Sequence, residues 1–90
     1  MTDPAWTYPA ELLQAIARFG LAPAPATPPR LVRDQLSDLY RFEIRRLRGR
    51  LLAGEFPKGE YVDRVIALRK RYWPLSLTPD QWEEICQEQR

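Results

Sequence analysis

The side chains able to do chemistry in this chain are almost all guanidinium groups. Twelve arginines and two lysines stand against twelve Asp/Glu in 90 residues, and there is no histidine. That removes the commonest general base and the commonest metal ligand. Cys86, the lone cysteine, can form neither an internal disulfide nor a cysteine metal cluster, and with no histidine to activate it the thiol reads as a packed small residue. No glycine-rich phosphate loop, Gly-x-Ser-x-Gly elbow or His-Glu-x-x-His occurs. The sequence therefore predicts a non-catalytic protein with no cofactor and no metal.

What guanidinium groups can do is hold anions, and their distribution is uneven. Residues 30–73 carry twelve Lys/Arg against six Asp/Glu, while the segments on either side are weakly acidic. Between Arg41 and Arg50 five arginines meet one glutamate. At helical spacing Arg41, Arg45 and Arg48 share one face, and with Lys70 and Arg71 they make a candidate phosphate or nucleic-acid surface, with Phe42 nearby for stacking. The competing reading is a solvated face balanced by Asp34 and Asp38, with Lys70 and Arg71 serving the C-terminal dipole of their own helix.

A second constellation sits inside an apolar stripe. Glu43 falls near the stripe's centre, Arg50 at nearly the same angle two turns on, and Arg46 at its edge. A carboxylate there needs a partner, so the expectation is a half-shielded ion pair of Glu43 with Arg46, Arg50 or Arg69. Aromatic residues give a third. Three tryptophans are many for a core this small, and Trp6, Tyr8, Trp73 and Trp82 are candidates for an interface.

These groups must be positioned by helices. Val32, Leu36, Leu39, Tyr40, Ile44, Leu47 and Leu51 share one stripe of a helix expected over 28–53, started by Thr27 as cap and Pro28. A second helix over 57–73 places Tyr61, Val65, Leu68 and Tyr72 in one row and Val62, Ile66 and Trp73 in the next. The connection between the two is short, so the expected centre is an antiparallel αα-hairpin with the stripes face to face. Gly49 interrupts the first of these helices and marks a bend or a close backbone approach.

Flanking elements follow from local signals. Residues 1–8 read as an extended arm and 9–20 as a short amphipathic helix ended by Gly20. A proline-rich, extended linker covers 21–27, and 74–78 cross in extended form. A last helix over 78–89 opens with Thr78 as N-cap, Pro79, and Gln81 closing a capping box; it turns Glu83, Glu84 and Glu88 outward. The fold class is all-α, a central hairpin with short N- and C-terminal helices packed on it.

No run of apolar residues is long enough to span a membrane, and the opening residues lack the basic and apolar regions of a signal peptide, so a cytoplasmic protein is expected. Two functions fit: a helical module that contacts a protein partner or a second copy of itself, or a nucleic-acid-binding protein using the arginine-rich helix face. No membrane partner is expected.

Overall fold

The computed structural model describes residues 5–89. Among them are four α-helices: α1 (Ala10–Ala17), α2 (Pro29–Leu52), α3 (Lys58–Arg71) and α4 (Pro79–Ile85). A 3₁₀ turn (Trp73–Ser76) precedes α4. Two short strands, β1 (Ala5–Trp6) and β2 (Glu88–Gln89), pair antiparallel. The expected all-α architecture, a helical hairpin with shorter helices packed on it, is the one observed. Residues 1–4 of the expected arm lie outside the described residues.

The hairpin is built from its two ends. α2 stops at Gly54, which takes φ +74°, while Glu55 N–H donates to the Arg50 carbonyl at 3.0 Å. This closes the last turn as a glycine C-cap and turns the chain back toward α3. Gly20 does the same for α1 with φ +78° and a Leu21 N–H bond to the Ile16 carbonyl. The capping box of α4 is complete, with Thr78 and Gln81 bonding each other's backbone N–H groups.

Several boundaries differ from expectation. α2 begins one residue later than anticipated, with Pro28 at the N-cap and Pro29 first in the helix; Thr27 caps nothing there. Its hydroxyl instead accepts from Ala24 N–H, and its own N–H bonds the Ala24 carbonyl. The linker thus folds into a turn at Ala24–Thr27, because a threonine in its last place offers the backbone partners that proline cannot. Trp6 N–H also bonds the Pro25 carbonyl at 2.7 Å, tying the N-terminal arm to that turn.

The crossing after α3 is a 3₁₀ turn and not an extended strand. Ser76 Oγ donates to the Trp73 carbonyl, and the Trp82 indole N–H, fully buried, donates to the Pro74 carbonyl at 2.8 Å. α4 is shorter than expected, ending at Ile85, because Glu88–Gln89 turn to pair with Ala5–Trp6. At Gly49 an added Cβ would meet nothing within 4 Å, so neither backbone approach nor crowding explains that glycine.

The core gathers at one end of the hairpin. Leu12 and Ile16 of α1, Val32 and Leu36 of α2, Tyr72 after α3, and Trp82 and Cys86 of the last helix and its cap form one buried cluster with Tyr8. Arg30 reinforces it by pairing with Asp80 and with Glu83, and Arg33 donates to the carbonyls of Leu77 and Leu75. No residue between 41 and 67 belongs to this cluster, and no residue of α3 is fully buried.

That distribution follows from length. A helix of 24 residues is about 36 Å long, while α1 and α4 span about two turns each and cover only its first half. The Cα atoms accordingly extend over 57 × 19 × 16 Å. The stripes of α2 and α3 meet along the distal half, but no third layer closes over them.

Candidate functional site

The projecting part of the hairpin has two unlike flanks, both produced by 3–4 spacing on two antiparallel helices. On one, Arg46 and Arg50 of α2 and Arg64 and Arg71 of α3 line a cleft of about 400 Å³. Glu43 is the single carboxylate in its wall, and Leu47, Ala67 and Leu68 make its floor. On the other flank Tyr40, Arg69, Tyr72 and Trp73 border a cavity of about 270 Å³, and Tyr40 and Ile44, with Arg41 and Arg45 at the rim, border a second of the same size. Leu51 continues the row Tyr40, Ile44 on α2; Val62 and Ile66 continue the row Arg69, Trp73 on α3.

The electrostatics of the arginine flank are unbalanced. Arg50 lies 3.4 Å from Glu55 and Arg64 3.7 Å from Glu60, both pairs being substantially exposed. Arg46 and Arg71 have no carboxylate within 4 Å among the described residues. Phe56 is buried under this edge, with the Arg64 guanidinium 4.3 Å and the Arg50 guanidinium 5.7 Å from its ring centroid. Arg64 Nε is buried and bonds nothing, an unsatisfied donor that costs about 1–3 kcal/mol.

Glu43 has no ion-pair partner among the described residues. Its carboxylate accepts from the Tyr72 hydroxyl, because the end of α3 carries Tyr72 against Glu43 in the antiparallel register. Of the arginines expected to pair with it, Arg46 and Arg50 point to the cleft, Arg50 nearer the tip beside Glu55, and Arg69 lies on the opposite flank. Burial, then the bond to Glu43, raise the Tyr72 phenol far above its ordinary range. Its ring is also held by Phe19, stacked at 4.1 Å, and by Tyr40 edge-on at 5.2 Å.

The arginine face expected from the sequence is divided. Arg41, Arg45 and Arg48 are exposed along α2, Arg41 within 3.9 Å of Asp38, whereas Arg71 turns into the cleft. Lys70 is exposed beside it on α3 and does not line the cleft. The aromatic candidates divide as well. Trp82 is wholly buried and Tyr8 nearly so, its hydroxyl donating to the Thr27 carbonyl, so both are core. Trp6 is half-buried against that core, and Trp73, 37% exposed, remains on the apolar flank.

Sequence reasoning missed Arg64, and with it the cleft. The signal was present as Arg64-x-x-Ala67-x-x-x-Arg71, two arginines on one row with only a methyl between them. Cys86 is fully buried and free, and desolvation pushes its thiol up to about 11, so it is protonated at neutral pH. Among the described residues no group of three or more His, Cys, Asp or Glu could hold a metal, and no helix is long and apolar enough to cross a membrane. Comparison with family models, curated proteins and solved structures finds no match for this chain.

Proposed function

We propose that the protein is a non-catalytic helical interaction module whose contact surface is the apolar flank of the projecting hairpin. The observation that carries this is that the chain's own short helices cover only the base. Val62 remains 59% and Ile66 44% exposed on a helix whose row they share with Trp73. Rows of β-branched and aromatic side chains along two adjacent helices are what a helix pair presents to another helix pair.

The occupant we assign is a second copy. Two such hairpins laid flank to flank make a four-helix bundle in which each apolar row meets its own symmetry mate, as a two-fold interface requires. We assign the module to the cytoplasm, in keeping with a free, buried thiol at Cys86. Light scattering and sedimentation across a wide concentration range test the reading. The expected result is reversible conversion of the 10.6 kDa chain to a dimer. A mass that stays monomeric throughout, together with no binding of a hydrophobic dye, would overturn it.

A further inference from the structure

We propose that the arginine flank binds an oligophosphate, meaning successive phosphoryl groups of one linear anion. The inference is independent of the apolar flank, which lies on the other side of the hairpin. Arg64 and Arg71 are separated by two helical turns, about 10 Å, and Arg46 and Arg50 by one turn, about 6 Å. One tetrahedral anion cannot meet four guanidinium groups spread over that length. A chain of phosphoryl groups can, and Ala67 leaves its path open between Arg64 and Arg71.

The donors are held in place before any ligand arrives. Arg50 and Arg64 both lie against the Phe56 ring, which restricts where their guanidinium groups can go. Their carboxylate partners, Glu55 and Glu60, are at 3.4 and 3.7 Å on the surface, where an anion can displace them. Arg46 and Arg71 have no carboxylate to give up among the described residues, and Arg64 Nε is a buried donor without an acceptor. Glu43, held by Tyr72 at the base end, sets the polarity of the cleft. Its charge weakens the hold at that end, where Arg71 lies, so the grip on the anion is strongest toward the tip, between Arg50 and Arg64.

Phosphate chemistry suits this wall better than an acidic peptide does. A peptide brings backbone N–H groups that need acceptors, and the floor of Leu47, Ala67 and Leu68 side chains supplies none. An oligophosphate presents acceptors alone to guanidinium groups that are donors alone, and its geometry allows bidentate contact.

The test is calorimetric titration of the full chain with tripolyphosphate, with a short single-stranded oligonucleotide, and with poly-glutamate, at low and moderate salt. Arg46→Gln and Arg71→Gln should each weaken tripolyphosphate binding roughly tenfold. Glu43→Gln should tighten it roughly three- to tenfold, since the cleft loses its one repelling charge. The pair Arg45→Gln with Arg48→Gln, on the exposed face of α2, should change nothing. Circular dichroism on each variant confirms that the helices are intact.

If the oligonucleotide also binds, its salt dependence should flatten by about 0.7 in log–log slope for each cleft arginine removed, identifying a nucleic-acid backbone as the source of the phosphates. A silent oligonucleotide with binding of tripolyphosphate identifies a free oligophosphate. No heat with either ligand at low salt overturns the proposal. So does a Glu43→Gln variant with unchanged affinity, an effect of Arg45→Gln with Arg48→Gln as large as that of the cleft variants, or binding of poly-glutamate in preference to both.

Discussion

Replacing Val62 and Ile66 together by glutamate should leave the monomer intact and abolish association. In the free chain these side chains are 59% and 44% exposed, so about half of the 1.5–3 kcal/mol that full burial of each could give is unrealised. The packed half is lost on substitution, about 1 kcal/mol per site. Against this, glutamate has a higher helix propensity than valine or isoleucine by a few tenths of a kcal/mol, and the new carboxylate at 66 sits four residues before Lys70. The net change for the monomer is therefore within about 2 kcal/mol, a shift of at most roughly 8–16 °C for a chain of this size. In the assembly both carboxylates would be desolvated, at several kcal/mol per ion, which weakens association by more than about a thousandfold. Thermal melts at a series of protein concentrations read both effects. The unsubstituted chain should melt higher as concentration rises and the double variant should not. A variant that is unfolded at every concentration would mean that this flank is core, and one that still associates would mean that the contact lies elsewhere. Either result refutes the reasoning.

Three further outcomes follow from the base and the helix interior. Trp82→Phe removes a buried indole bond to the Pro74 carbonyl and opens space in the core, so it should cost about 2–4 kcal/mol in denaturant unfolding, while Trp73→Phe, on the open flank, should cost less than about 1 kcal/mol. Burial raises the Cys86 thiol from 9.0 to about 11, so between those values the unfolded chain releases a proton that the folded chain keeps. This group should leave stability unaffected below pH 9 and lower it by about 2–3 kcal/mol as pH rises through 11, and Cys86→Ala, though less stable at neutral pH, should lose the part of the decline that begins near pH 9 in a pH series of chemical melts, while the raised phenols of Tyr8 and Tyr72 keep the part above pH 10. Gly49→Ala meets open space inside α2 and should raise stability by about 0.5–1 kcal/mol by the same measurement.

The helices were legible because each is specified locally. Thr78, Pro79 and Gln81 start α4 by bonds within four residues, and Gly20 and Gly54 end α1 and α2 by taking a backbone angle that other residues resist. The elements that depended on distant partners were not legible. The linker's turn depends on Thr27 reaching back to Ala24, and the early end of α4 depends on Ala5–Trp6 being present to pair with Glu88–Gln89. Nor could periodicity show which part of an amphipathic stripe would be covered. Val32 and Tyr61 stand in equally regular rows, yet only Val32 lies where α1 and α4 reach, and the length of those helices decides it.

The flanks depend on something a single helical wheel does not contain, the relative direction of the two helices. The wheel puts Arg46 at one edge of the α2 stripe with Arg50 just inside it, and Tyr40 and Ile44 toward the other edge, and on α3 it puts Arg64 and Arg71 opposite Val62, Ile66 and Arg69. Two pairings of these edges are possible. In one, the cleft arginines share a flank and the apolar rows, edged by Arg69, Arg41 and Arg45, share the other; in the second, Arg46 and Arg50 face Val62 and Ile66, and neither an anion cleft nor an apolar groove exists. The short connection from Ala53 to Pro57 makes the two helices antiparallel, and with the stripes face to face that direction alone selects the first. Phe56, buried beneath Arg50 and Arg64, supports the arginine flank at the tip. Its replacement by glycine should release Arg50 and Arg64 from a common wall and impair tripolyphosphate binding more than dimer formation, which calorimetric titration and light scattering on the same variant would read.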